Sequence, residues 1–297
     1  MKKHSIFEGV ATAIVTPMDE KGAVDYAAFE RMINWQIQQG IPALVICGTT
    51  GEGSTLSDEE HRQVFKFAMD VAKGRCVMIA GTGSNDTAYA ISLTKCACEL
   101  GYDAMLVVSP YYNKTTQKGL IAMFTAIADA STKPIILYNV PSRTGVGINP
   151  STYAALADHP MICAIKEASG NISQVVETAA LVGDKLDIYS GNDDQIVPIM
   201  ACGGKGVISV LSNVIPKETV ELCQKFFDGD VAGAMELQKK YLPLTNALFC
   251  EVNPIPVKAA TAAMGYGENV VRLPLVPMEE ANRQHLLQCM REVGVEV

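Results

Sequence analysis

No apolar run in the chain approaches the ~20 residues that a helix needs to cross a bilayer, so no membrane-spanning segment is expected. Positive charge is scarce, with 24 Lys and Arg against 32 Asp and Glu and a formal net charge of −8. Nucleic acid and anionic membrane surfaces select basic faces, so neither is expected as a partner, and a small anionic substrate would need local positive charge. The nine cysteines include no C-x-x-C pair, and the four histidines, His4, His61, His159 and His285, are dispersed. Cys96 and Cys98 sit two apart on a predicted helix, where their side chains diverge, so no metal site is expected from ligand spacing. Most cysteines fall in apolar stretches, Cys47, Cys163 and Cys202 among them, as reduced core thiols do. The N-terminal segment reaches Glu8 before any apolar h-region, unlike a secretory signal. A soluble, cytoplasmic protein is the expectation.

What is present is a large core. With 48% apolar residues, the chain can bury that core, and its 297 residues fit one big α/β domain or two ordinary ones. Short apolar or β-branched runs recur at 9–15, 43–47, 77–80, 104–108, 135–140, 161–165, 186–189 and 206–210. Between most of them lie segments of helical period, such as Phe29, Met32, Ile33, Ile37 and then Ile91, Leu93, Thr94, Cys98, several stopped by Gly40, Gly101 or Gly183 at the C′ position. Eight βα units of this size predict a (β/α)8 TIM barrel over residues 1–228, with an open doubly wound sheet as the alternative. After residue 228 the strand rhythm stops. Helical segments near 231–247, 256–264 and 278–293 predict a C-terminal helical extension over 229–297, and with no Ser/Gly-rich linker it should pack on the barrel. Ser57-Asp58-Glu59-Glu60 reads as a capping box whose role is to start a helix.

The chemistry-bearing residues gather at the ends of predicted strands: Gly48-Thr49-Thr50-Gly51-Glu52, Ser109-Pro110-Tyr111-Tyr112-Asn113-Lys114, Tyr138 to Gly145, Lys166, and Ser190-Gly191-Asn192-Asp193-Asp194. In a barrel these ends converge on one mouth. Lys166 closes the apolar run Met161-Ile162-Cys163-Ala164-Ile165. Desolvation disfavours an ammonium, so a lysine held there can be a neutral nucleophile that attacks a carbonyl; the bland alternative is a lysine that snorkels from a strand end. Thr49 and Thr50 can cradle a carboxylate, Tyr138 can exchange a proton beside an amine, and Arg143 can clamp a second carboxylate. A turn, a packing tyrosine and a solvated arginine are the plainer readings of the same residues. Gly81-Thr82-Gly83 and Gly203-Gly204-Lys205-Gly206 complete no nucleotide motif.

Taken together, Gly48-Thr49-Thr50-Gly51-Glu52, Pro110-Tyr111-Tyr112-Asn113-Lys114, Tyr138-Asn139-Val140-Pro141-x-Arg143-Thr144-Gly145, Lys166-Glu167-Ala168-Ser169-Gly170 and Asn253-Pro254-Ile255-Pro256-Val257-Lys258 resemble the 4-hydroxy-tetrahydrodipicolinate (dihydrodipicolinate) synthases, nearly end to end. These are pyruvate-dependent class I aldolases on a (β/α)8 barrel with a helical extension. The resemblance implies that Lys166 forms an imine with pyruvate, whose enamine attacks the aldehyde of L-aspartate 4-semialdehyde. Tyr138 is the implied acid/base, linked through Thr49 to Tyr112 from a neighbouring subunit. Thr50 and Ile208 are implied to hold the pyruvate carboxylate, Gly191 to line the pocket, and Arg143 to receive the semialdehyde carboxylate. No cofactor or metal is implied, and a homo-oligomer, a dimer of dimers, is. Arg143 and Thr49-Thr50 favour the synthase over the related N-acetylneuraminate lyases. A silent keto-acid-binding barrel is a third possibility.

Many such synthases are inhibited by lysine, using groups that correspond to His61, Asn85 and Tyr111 and a glutamate whose place is taken here by Tyr89. Asp58 and Gly53 also stand where regulated relatives often carry His and Ser, and Thr115 replaces a common proline. The expectation is weak or absent inhibition by lysine.

Overall fold

The computed structural model describes residues 5–72 and 74–297; the expectations for the N-terminal segment and for His4 lie outside the described residues. Eight parallel strands form a closed barrel in chain order: β1 (Gly9–Ala13), β2 (Ala43–Ile46), β3 (Val77–Gly81), β4 (Ala104–Val108), β5 (Ile135–Asn139), β6 (Ile162–Glu167), β7 (Asp187–Ser190) and β8 (Gly206–Ser209). Strands buried on both faces read as continuous apolar runs, which is why each lies within about two residues of its sequence expectation. Between β1 and β8 run helices α1 (Tyr26–Gln38), α2 (Asp58–Ala72), α3 (Thr87–Glu99), α4 (Gln117–Asp129), α5 (Pro141–Thr144), α6 (Pro150–Leu156), α7 (Ile172–Val182) and α8 (Ile196–Ala201). Beyond β8 come α9 (Pro216–Phe227), α10 (Val231–Leu248), α11 (Ile255–Ala263) and α12 (Glu280–Glu292). Among the described residues, no helix is long and apolar enough to cross a membrane.

Two cores follow from the period-2 alternation of the strands. Inward residues such as Ala43, Val45, Ile79, Leu106, Ile136, Tyr138, Ala164 and Ile208 fill the barrel, while outward neighbours such as Leu44, Ile46, Val107, Leu137 and Ile165 pack beneath the helices. Phe7 stacks on Tyr189 with ring centroids 4.1 Å apart, and the Tyr189 hydroxyl donates to the Phe7 carbonyl at 2.7 Å, so the two rings plug the end where β1 begins. The barrel closes where Gly9 of β1 pairs with Gly206 of β8. Gly206 has φ +135°, and a side chain there would run into the Gly9 backbone, so this glycine serves closure of the barrel.

Helix starts follow their caps: Asp25, Asp86, Thr116, Asn171 and Asp230 each accept a first-turn amide with the side chain. Gly40 and Gly101 follow their helices in the left-handed region, as expected for C′ glycines, whereas Gly183 caps α7 at φ −63°. The buried face of α3 is Ala90, Leu93, Thr94 and Ala97, with Ile91 and Cys98 at its edge, so the expected apolar stripe is rotated by about one residue. Cys47 and Cys163 are buried and Cys202 is half-buried.

The capping box is real: Ser57 N–H donates to Glu60 Oε2 at 2.9 Å, and Glu60 N–H to Ser57 Oγ at 3.2 Å. Its role is wider than helix initiation. Arg272, between α11 and α12, donates from Nη1 and Nη2 to both Glu60 oxygens at 2.8 and 2.6 Å and ties the C-terminal helices to α2. The Arg272 hydrogen bond is the main reason that the Glu60 carboxyl is held down at about 2.

Candidate active site

The register between β5 and β6 builds the centre of the site. Tyr138 pairs with Lys166 and Asn139 with Glu167, so alternation sends the first two side chains into the barrel and the second two outward. On the outside, Asn139 Nδ2 donates to both Glu167 oxygens at 3.1 and 3.0 Å, and Ser169 N–H donates to Glu167 Oε1 at 2.7 Å. On the inside, Lys166 Nζ sits 4.2 Å from the Tyr138 ring centroid. Lys166 is 6% exposed and lies within β6 rather than beyond it, because the strand runs two residues past the apolar run; the snorkelling alternative does not hold.

Burial lowers the Lys166 ammonium from its ordinary value to about 7; Asp193 opposes this and Arg143 adds to it. A substantial fraction of Lys166 is therefore a free amine at neutral pH. Asp193 accepts from Val210 N–H and Leu211 N–H, each at 2.9 Å, and its own carboxyl is pushed up by burial. Sequence reasoning gave Asp193 no role, since nothing local sets it apart from Asp194. The Tyr138 hydroxyl is raised by burial, against the Arg143 charge and a hydrogen bond with the Thr49 hydroxyl.

Lys166, Thr49, Thr50, Tyr138, Arg143 and Gly191 line one cavity of about 180 Å³. The Thr49-Thr50 turn is fixed beneath by Glu52 N–H to Thr49 O (3.1 Å) and Thr16 Oγ1 to Gly51 O (2.7 Å). Arg143, on α5, is exposed and donates from Nη2 to the Asn253 carbonyl at 2.9 Å. Two expected residues stand apart. Ile208 is 1% exposed and packs in the barrel interior, while Val210, past the end of β8, lines the cavity. Tyr112 is 92% exposed with φ +69° and does not line its own chain's cavity.

Gly191 has a steric reason to be glycine. A Cβ there would lie 2.7 Å from Ala168 Cβ and 3.1 Å from Lys166 Cε. Gly191→Ala is expected to displace the lysine stem and slow imine formation by roughly 10- to 100-fold with the fold intact, read by pyruvate trapping alongside circular dichroism. An unchanged trapping rate would contradict the packing argument.

A second cavity of about 370 Å³ shares Thr49, Tyr138 and Arg143 with the first and extends to His61, Tyr89 and Tyr111. His61 is lowered to about 4 by burial and donates as a neutral ring from Nε2 to the Gly81 carbonyl at 3.2 Å. The Tyr89 hydroxyl, raised to about 12 by burial and by Asp58, is hydrogen-bonded to the Asp58 carboxylate.

The C-terminal helices reach this site through residues that sequence reasoning quoted without assigning a role. Lys258 Nζ pairs with Glu52 Oε1 at 2.6 Å, both fully buried, and Asn253 Nδ2 donates to Thr50 Oγ1 at 3.0 Å.

Comparison with known proteins gives a consistent picture. Residues 6–293 match the Dihydrodipicolinate synthetase family. A 4-hydroxy-tetrahydrodipicolinate synthase of Alkaliphilus oremlandii is 53% identical over 98% of this chain and 100% of its own. The crystal structure of the chloride-inhibited dihydrodipicolinate synthase from Acinetobacter baumannii complexed with pyruvate superposes with a TM-score of 0.95 at 45% identity, covering 98% of this chain and 100% of that one. That of the Cyanidioschyzon merolae enzyme with lysine bound gives a TM-score of 0.96 at 38% identity, over 99% and 100% of the two chains. The chain belongs to the dihydrodipicolinate synthetase family.

Proposed function

We propose that this protein is a lyase of the class I aldolase type that condenses pyruvate with L-aspartate 4-semialdehyde to 4-hydroxy-tetrahydrodipicolinate, in lysine and diaminopimelate biosynthesis. The observation that carries the reading is Lys166, buried in the barrel mouth and poised at about 7 with its Nζ over the Tyr138 ring. The neutral amine adds to C2 of pyruvate, and loss of water gives the imine. Loss of a proton from C3 gives the enamine, whose C3 bonds to the aldehyde carbon as Tyr138 protonates the aldehyde oxygen. The substrate amine then adds to C2 and expels Lys166, closing the ring and freeing the catalyst. Thr50 binds the keto-acid carboxylate and Arg143 that of the semialdehyde, with Gly191 in the pocket wall; Ile208 enters this scheme only through its backbone. The imine nitrogen is itself the electron sink.

The barrel, residues 1–228, carries this chemistry, and 229–297 is the helical extension packed on it. Product should form from purified protein with pyruvate and the semialdehyde, and N-acetylmannosamine should not replace the aldehyde. Turnover of the sugar alone would favour a lyase of the other subfamily. Cytoplasmic location fits the acidic composition and this substrate pair.

Tyr112 supports a homo-oligomer, because a fully exposed aromatic held at positive φ is suited to entering a neighbouring subunit. In this scheme Thr49 connects Tyr138 to Tyr112 of the partner subunit, in a dimer of dimers. Tyr112→Phe is expected to lower turnover about 10- to 100-fold while pyruvate imine formation changes little; equal loss of both would count against a relay.

Inhibition by lysine is expected to be weak or absent, since Tyr89 offers no carboxylate to an ammonium and its hydroxyl is engaged by Asp58. Half-maximal inhibition at micromolar lysine in a steady-state assay would contradict this.

A further inference from the structure

Asn253 lies between α10 and α11, outside the eight strands, yet it lines the cavity that holds Lys166. It touches both groups assigned above to carboxylates: Nδ2 donates to Thr50 Oγ1 at 3.0 Å, and its backbone carbonyl accepts from Arg143 Nη2 at 2.9 Å. The residue is 6% exposed, and its Oδ1 is sealed from solvent without a hydrogen-bond partner. A buried acceptor left unpaired is a cost that an apolar residue of similar size would avoid. The amide is therefore held in place for its donor end.

That donor has a consequence for Thr50. A hydroxyl has one proton to give. With Asn253 Nδ2 occupying a lone pair of Oγ1, and with Thr50 Oγ1 donating to no protein group among the described residues, the Thr50 proton is left for a ligand. We propose that Asn253 is a positioning residue whose side-chain amide turns the Thr50 O–H toward the keto-acid carboxylate. This rests on the placement of Thr50 at that carboxylate in the proposed function. The turn that carries Thr50 is held from the same side, since Glu52, two residues on, is paired with Lys258 of α11. The C-terminal extension thus contributes to keto-acid binding.

The test is the pyruvate concentration that half-saturates cyanoborohydride trapping on Lys166. Asn253→Ala removes the orienting donor and should raise it about 3- to 10-fold. Asn253→Asp is nearly isosteric but reverses the bond: its carboxylate takes the Thr50 proton away from the ligand. At about pH 8 it should be roughly tenfold worse than Asn253→Ala. A purely structural role predicts the reverse order, with aspartate milder than alanine at every pH, and that result overturns the proposal.

A second measurement introduces no buried charge. In a Thr50→Val background, Asn253→Ala should change half-saturation by less than about twofold, whereas additive losses would show that Asn253 does not act through Thr50. A Thr50→Val protein with unaltered pyruvate dependence would overturn the carboxylate assignment itself and the Asn253 role with it. A large Thr50→Val effect with additive Asn253→Ala loss overturns only the latter.

Discussion

Lys166→Ala is expected to lose turnover by about 10⁴-fold or more, because among the described residues that line the cavity Lys166 is the one amine that could form the proposed imine. In the unmodified protein, the rate of pyruvate imine formation should rise about tenfold per pH unit below 7 and level off above it, since the free amine is the reacting form and burial sets its titration at about 7. The same burial has a stability consequence of opposite sign. Below pH 7 the folded and unfolded chains both hold the proton, and the folded state bears the cost of a buried ammonium. Between about 7 and the ordinary 10.5 the folded chain has released the proton and the unfolded chain retains it, so stability gained from this residue rises with pH across that window. The depression corresponds to about 4 kcal/mol near neutral pH. Lys166→Met should therefore melt several degrees above the unmodified protein at pH 7 while being inactive, and the gap should narrow as the pH is raised toward 10. A melting temperature that falls on substitution would show that Lys166 is held as a structural cation.

Lys258→Met is expected to be the most destabilising substitution near the site, at about 3–5 kcal/mol, because it strands the Glu52 carboxylate in a dry interior. Lys258 is 2% and Glu52 1% exposed, and the Arg272 backbone N–H at 3.1 Å from Glu52 Oε2 cannot replace an ammonium. The double variant Glu52→Gln/Lys258→Met, which leaves no buried charge, should recover most of the stability in a urea-unfolding cycle. Additive losses in the cycle would mean that the two side chains do not act as a pair. Glu52 sits at φ +53° at the end of the Thr49-Thr50 turn, so the single variant should also weaken pyruvate binding.

The barrel was legible in the sequence because each strand is buried on both faces and reads as an unbroken apolar run, as at Ala43 to Ile46 and Ala104 to Val108. Lys166 was legible for the same reason, as a charge interrupting such a run. What escaped were contacts made across great separations. Glu52 and Lys258 are 206 residues apart, Thr50 and Asn253 203 apart, and no local pattern announces either pairing. Glu60 looked complete as a capping residue, so its second partner, Arg272, could not be inferred. Ile208 packs inside the barrel, and Val210, beyond the last paired position of β8, lines the cavity, a contribution that no local pattern marks. Asp193 was hidden among polar neighbours, because its carboxylate is held by the amides of Val210 and Leu211, 17 and 18 residues on, and acts on Lys166 from there.

The central claim is that Lys166 is the imine-forming nucleophile. Incubation with pyruvate and sodium borohydride, followed by mass spectrometry of peptides with Lys166→Ala treated in parallel, tests it most directly. A reduced pyruvyl adduct on Lys166 alone, absent from the variant, is the predicted result. No adduct, or one on Lys205 or Lys258 that persists in the variant, would contradict it.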